Sequence, residues 1–431
     1  MPEPASVLPV ILVSLAKIAA VCFLLLTAAA YLVLLERWIA AWVQDRLGPN
    51  RVGIPLTKIH LFGLGQPLAD GLKMIFKEQY TPAHVDKFLF VLAPIIILTA
   101  ALAIFAVIPF GSLLACLSLA GAPGSSALIV APRFDVGMVY VFALSSIAVY
   151  GVILGGWASN NKYSFLGGLR SSAQLIAYEI PMGLGILGVV LVSGSLRLDD
   201  IISRQVGGAW NFFTQPLGFI VFVIAAFAEA ARLPFDLPEA EQELIGGYHT
   251  EYAAMKLLLF LIAEFLHMVT AAFLIVILFF GGWDFWGMQT SSFVDWPDGV
   301  LHVVVLMAKV FLVILFFMLV RWSWPRFRFD QLMSLAWKVM LPLGLVNLVA
   351  VAIIAEYGDR LAIPLGASRF GDYLVTHLHV SAKTMVAALI GWAALLLSWV
   401  AVAFAAPLHD DNRPRLEMHA FDEEKELRDN T

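Results

Sequence analysis

Charge is scarce in this chain. Only 14% of its 431 residues are Asp, Glu, Lys or Arg, while 61% are hydrophobic. Ordinary globular proteins carry about 25% charged residues, so the soluble domains that this length would otherwise fill could not be coated. Basic residues are outnumbered, 27 against 32 acids, which removes the basic stripe that a general nucleic-acid binder needs. Cysteine occurs twice, as Cys22 and Cys116, each within an apolar run. Two thiols exclude a four-thiolate iron–sulfur cluster and a structural zinc site, and they read as small buried hydrophobes. No His-Glu-x-x-His, Walker lysine loop or Gly-x-Ser-x-Gly occurs. The chain alone therefore has no visible means of redox, hydrolytic or ATP-driven chemistry, and no metal site is expected.

What is present is apolar length. A membrane span needs about 20 predominantly apolar residues, and nine stretches qualify: 9–35, 87–110, 134–157, 171–193, 214–230, 253–280, 301–320, 335–355 and 383–406. The expected fold is all-α and polytopic. Met1–Val10 lacks the basic start of a signal peptide, and the apolar run after it is too long for one, so it reads as an uncleaved first span. The odd-numbered loops hold 14 Lys and Arg against 5 in the even-numbered loops. Basic loops stay in the cytoplasm, which predicts an N-terminus outside and the acidic tail, 407–431, inside.

The long first loop contains Leu64, Leu68, Leu72, Ile75 and Phe76 at three- and four-residue spacing, with Gln66, Asp70, Lys73 and Lys77 elsewhere around the wheel. Such a helix within 55–80 lies in the membrane interface, or else is an ordinary cytoplasmic helix. Gly183-Leu-Gly185-Ile-Leu-Gly188 spells a dinucleotide fingerprint but falls inside the fourth span. Without a preceding strand it reads as close helix packing, as does Gly151-x-x-x-Gly155 in the third span. His377 and His379 have no third partner that would make them a metal site.

Ionisable groups inside spans cost roughly 2.5–3.5 kcal/mol at a helix centre on insertion scales, so those that occur are functional candidates. Glu179 lies within the fourth span, Glu229 closes the fifth, Glu264 is near the middle of the sixth and Lys309 lies in the seventh. Lys256, Phe260, Glu264 and His267 share one helical stripe. From Glu229 to Glu251 six acids, Glu239 and Glu241 among them, face the single base Arg232. Crowded carboxylates in a low dielectric hold protons near neutral pH; the alternative is that they only neutralise Arg232, Lys256 and Arg170. On the residues alone, an ion- or proton-handling membrane protein is expected.

Several blocks resemble one family closely. Gln44-Asp-Arg-Leu-Gly-Pro-Asn-Arg-Val-Gly53, Gln66-Pro-Leu-Ala-Asp-Gly-Leu-Lys73 and Gly168-Leu-Arg-Ser-Ser-Ala-Gln-Leu-Ile-Ala-Tyr-Glu-Ile180 are similar to the H subunit of bacterial respiratory complex I. So are Ala228-Glu-Ala-Ala-Arg-Leu-Pro-Phe-Asp-Leu-Pro-Glu-Ala-Glu241, Gly247-Tyr-His-Thr-Glu-Tyr252 and Pro325-Arg-Phe-Arg-Phe-Asp-Gln-Leu-Met333. The resemblance runs from about residue 10 to 355. It implies a membrane-arm subunit of proton-translocating NADH–quinone oxidoreductase in the bacterial inner membrane, with periplasmic N-terminus and cytoplasmic C-terminus. Its substrate would be ubiquinone or menaquinone, and NADH, FMN and iron–sulfur clusters would belong to partner subunits. Hydrophilic-arm and small membrane-arm subunits would be its neighbours.

By resemblance, Glu179, Glu229, Glu239, Glu241 and Glu264 line a proton-coupling path, with Asp70 and Lys309 as further candidates. Arg46, Gln66, Asp70 and Phe76 would belong to the quinone channel. An equivalent hydrogenase subunit and a stand-alone ion transporter are the alternatives. The family core has eight spans, so the chain divides into 1–355, an outside loop with an extra helix at 356–406, and the tail 407–431. Where the family carries polar residues after Glu229, this chain has Ala230 and Ala231.

Overall fold

A computed structural model describes residues 7–53, 62–111, 134–206, 209–236, 245–285, 296–366 and 381–404. In hydrocarbon, backbone polar groups must be satisfied within the segment, and the apolar runs accordingly form helices. These are α1 (Val7–Val43), α2 (Gln66–Phe76), α3 (Lys87–Ile104), α4 (Gly137–Ala158), α5 (Lys162–Ser193), α6 (Leu198–Val206), α7 (Asn211–Thr214) and α8 (Pro216–Glu229). They continue with α9 (Ala254–Phe279), α10 (Trp296–Ser323), α11 (Phe329–Ser334), α12 (Leu341–Gly366) and α13 (Ala382–Phe404). A wider π-turn, Leu335–Met340, joins α11 to α12.

Eight helices among the described residues are long and apolar enough to cross a membrane, which makes this a membrane protein. They match eight of the nine expected stretches. The fifth differs. Its helix, α8, has only 14 residues, about 21 Å at 1.5 Å per residue, and the short α7 precedes it. Helix α8 covers all but the ends of the expected stretch 214–230 and begins at Pro216, which has no N–H to continue a helix and is tolerated only in a first turn.

Local signals set the other ends. Asp86 caps α3 by accepting from the Phe88 and Leu89 amides at 3.1 and 3.3 Å, while Gly194 at φ 64° closes α5. Helix α9 is the centre of the fold: 78% of its apolar window is buried, against 22–44% in the other spans. It packs on α1, α3, α8 and α10, whereas α5 lies between α4, α8 and α12. Helix α13 packs against α12, α7 and α8.

The glycine patterns serve packing. A Cβ on Gly151 would collide with Ile97 Cγ1, and one on Gly188 would stand 2.7 Å from Asn347 Nδ2. The dinucleotide-like string therefore lets α5 approach α8 and α12 closely, as the span reading expects.

Candidate functional site

Helix α1 does not stop where the first long apolar run does. It continues to Val43, so Glu36 is held inside the helix at 9% exposure rather than released into a loop. Arg232, just past α8, reaches it: Arg232 Nη1 lies 3.1 Å from Glu36 Oε2, and Arg232 Nε lies 3.0 Å from Glu264 Oε1 on α9. Arg321, from the end of α10, pairs with the other Glu36 oxygen. The Arg232 guanidinium also lies 4.3 Å from the centre of the Phe265 ring. Among the described residues two carboxylates and two guanidinium groups thus form a cluster joining α1, α9, α10 and the segment after α8.

The cluster forms one wall of a cavity of about 690 Å³. Its apolar side comes from α1 and α9, including Ala29, Val33, Leu258, Leu261 and Phe265. The opposite side is the polar face of α2: Gln66, Asp70 and Lys73 line it, as does Arg46. Arg37 donates to Asp70 at 2.6 Å and Gln66 to the other Asp70 oxygen at 2.9 Å, which ties α2 to α1. Of the expected channel residues, Arg46, Gln66 and Asp70 are brought together. Phe76 is not among the lining side chains; it is 82% exposed on the outward face of α2, with Leu68 at 71%.

Behind Glu264 lies a second cavity, of about 60 Å³, lined by Glu179, Glu229, Glu264 and His267 with Tyr248 and Ser145. That is room for about four water molecules. Ala230 and Ala231 line it too, and their methyl groups offer no hydrogen-bond partner where polar side chains would. A third, of about 10 Å³, continues inward past Glu229, His267 and Thr270. Glu179 accepts a hydrogen bond from the Ser146 hydroxyl. Among the described residues neither Glu179 nor Glu229 stands in an ion pair, whereas Glu264 does. Neutralisation of Arg232 therefore accounts for Glu264 and Glu36 but not for the inner two acids. Glu239 and Glu241 lie outside the described residues, as do His377, His379 and the acidic tail.

Lys256 and Lys309 are engaged elsewhere. Lys256 donates to Thr81 Oγ1 at 2.5 Å and lies 4.9 Å from the Phe90 ring centre. Lys309, a further candidate for the path, donates to the carbonyls of Phe280 at 2.7 Å and Gly282 at 3.1 Å, and to that of Asp284. It satisfies the carbonyl end of α9, where a cation is favoured. Nearby, burial pushes the Asp284 carboxyl above its ordinary range, against the opposing pull of its Trp210 hydrogen bond and of Lys309.

Glu36 and Arg321 were not singled out by sequence. Their signal was available in outline: the apolar run resumes after Glu36-Arg37 as Trp38-Ile-Ala-Ala-Trp-Val43, which places a charged pair inside a helix rather than after it. Among the described residues no group of three or more His, Cys, Asp or Glu is arranged to hold a metal ion.

Fold and site define a class: a polytopic helical membrane subunit with a large cavity at one face and a smaller, carboxylate-lined cavity behind it. Residues 16–352 match the family model described as NADH dehydrogenase, and the chain belongs to that family. Among its relatives is an H-type subunit of NADH-quinone oxidoreductase from Geobacter metallireducens, 46% identical over 344 residues, 80% of this chain and 97% of the relative. Another is an H-type subunit of NADH-quinone oxidoreductase from Cytophaga hutchinsonii, 44% identical over 332 residues, 77% of this chain and 93% of the relative. NADH-quinone oxidoreductase subunit 8 of Rhodothermus marinus is 44% identical over 349 residues, 78% and 96% of the two chains. The chain is accordingly a subunit of an oxidoreductase complex. Helix α13 lies beyond the matched residues.

Proposed function

We propose that this subunit forms the access cavity for a membrane quinone and couples events there to proton translocation through buried carboxylates. The observation that carries the reading is Glu264, which lines both the large cavity and the inner one. Family membership favours this assignment over the hydrogenase and transporter alternatives. It also supports association with the other subunits of a bacterial NADH–quinone oxidoreductase in the inner membrane, with NADH, FMN and iron–sulfur chemistry in those partners.

The cavity suits a substrate with a polar head and a long apolar tail. Its volume falls in the range of about 300–1,000 Å³ typical of small-molecule sites, and one wall is apolar while the other carries Gln66, Asp70 and Arg46. The chain's own groups then act electrostatically. A change of charge in the cavity alters how Arg232 divides its attraction between Glu36 and Glu264, and so alters the proton affinity of Glu264. Glu229 and Glu179 share the water space behind it, where protons pass between carboxylates that titrate as a coupled set. Glu239 and Glu241, as part of the acidic segment after α8, would feel the same change. Asp70 holds the α2 wall and belongs to the cavity side of this path.

A photoreactive quinone analogue tests the first half of the reading. Labelling of α1 or of residues 55–80 is expected. Labelling confined to the membrane face that carries the end of α5 and the start of α13 would overturn it.

A further inference from the structure

One turn along α9 from Glu264 stands His267. It lines both inner cavities, the one of about 60 Å³ with Glu179, Glu229 and Glu264 and the one of about 10 Å³ with Thr270. Ser145 and Glu229 alone share that double position with it. Among the described residues His267 is the single base lining either cavity, against three carboxylates.

The other polar members of its helical stripe are held: Glu264 by Arg232 and Lys256 by Thr81. His267 is not, because its ring makes no hydrogen bond and no ion pair with any described residue. A polar group withdrawn from bulk water without a partner is costly, so packing alone gives no reason for an imidazole here. The ring has two nitrogens and can take a proton at one and release it from the other. Thr270, the next polar side chain along the stripe, gives its own proton to the Leu266 carbonyl at 2.9 Å. Its oxygen is thereby left as an acceptor for a ring N–H.

We infer that His267 is the proton acceptor of the inner carboxylates, and the inference rests on the carboxylate-path reading. In the step, the O–H bond of the Glu229 carboxyl breaks and an N–H bond forms on the imidazole, across the cavity space that the two side chains share. A carboxylate and an imidazolium result. No electrons change hands and the summed charge is unchanged, but positive charge moves past Glu264 toward Thr270. The charged and titratable groups facing the ring are Glu229 at the end of α8, Glu179 on α5, Glu264 on its own helix and Tyr248 before that helix. Helices α3 and α4 present only apolar side chains and Ser145.

Gln and Glu have the same size and differ in titration, so a pair of substitutions separates proton exchange from packing. In vesicles carrying the whole complex, His267→Gln should lower NADH–quinone turnover and proton uptake together by about 100-fold, the low end for loss of a proton-transferring group. Ferricyanide activity should stay normal. His267→Glu should restore both to within about tenfold of wild type, with the pH profile of turnover displaced, since a carboxylate exchanges protons where an amide cannot. Equal loss in the two variants, as a packing role requires, would overturn the inference. So would wild-type turnover and pumping in His267→Gln. The smaller His267→Asn carries the same expectation should the Gln variant fail to assemble. Measured beside these, the Glu229→Gln, Glu264→Gln double variant separates the two levels. Loss there with wild-type pumping in His267→Gln overturns the histidine alone, whereas wild-type pumping in the double variant overturns the carboxylate path itself.

Discussion

Arg232 is 3% exposed and holds carboxylates from two helices, Glu36 on α1 and Glu264 on α9. Removing one partner of a buried charge pair leaves the other uncompensated, at about 3–5 kcal/mol. Arg232→Met alone should therefore lower the heat resistance of the complex sharply. The double variant Arg232→Met, Glu264→Gln should recover most of it, because Glu36 keeps Arg321 as its partner. Both are read by thermal aggregation in detergent; a double variant as unstable as the single one would contradict the paired-cluster account. The acids were legible in the sequence because charge within apolar runs is costly, and three of them, Glu179, Glu229 and Glu264, meet in one cavity. Their partners were not. Glu36 and Arg232 are 196 positions apart, and periodicity carries no information about such a pairing. Lys309 was legible as a charge within a span, but backbone carbonyls hold it, and nothing in side-chain spacing reveals them.

At the scale of elements, apolar length located the long spans, since each must supply its own backbone hydrogen bonds. The fifth stretch, 214–230, was legible in position, but its helix begins only at Pro216 and is the shortest of the nine. Helix α2 was legible as amphipathic, yet which face met the protein was not. Its polar face meets α1 through Arg37–Asp70, and its leucines point outward. Outward leucines at a membrane protein's surface are covered by lipid or by a partner. Leu68→Glu should thus leave the fold of the core intact while loosening α2, seen as faster protease cleavage within 55–80 of the assembled complex. Unchanged cleavage would place that face in water. Packing makes a second prediction at this scale. Gly151→Leu puts a side chain where even a Cβ would collide with Ile97, and it should abolish stable assembly, measured as loss of the subunit from the purified complex. Assembly at the wild-type level would contradict the close approach of α3 and α4.

For the whole molecule, the division between family core and added helix has a physical counterpart. The core is organised around α9, the most buried span, while α13 packs at its edge and shares a polar cleft with it. The orientation expected from the 14-to-5 excess of basic residues puts Glu229 and the large cavity at the cytoplasmic face. Protease access to a tag on each terminus in sealed inverted vesicles should find the C-terminal tag cut and the N-terminal tag protected. The reverse pattern, or both tags sharing one fate, would refute it.

Coupling is the central claim, and it rests on Glu264 and Glu229 exchanging protons through the cavity they share. Glu→Gln keeps size and removes titration. The most direct measurement is proton uptake by vesicles carrying the Glu229→Gln, Glu264→Gln double variant, recorded beside NADH–quinone turnover, with NADH–ferricyanide activity as the assembly control. The account predicts normal ferricyanide activity with turnover and pumping lost together, and smaller losses in the corresponding Asp variants. Wild-type turnover and pumping in the double variant would contradict it and leave these acids as structural groups alone.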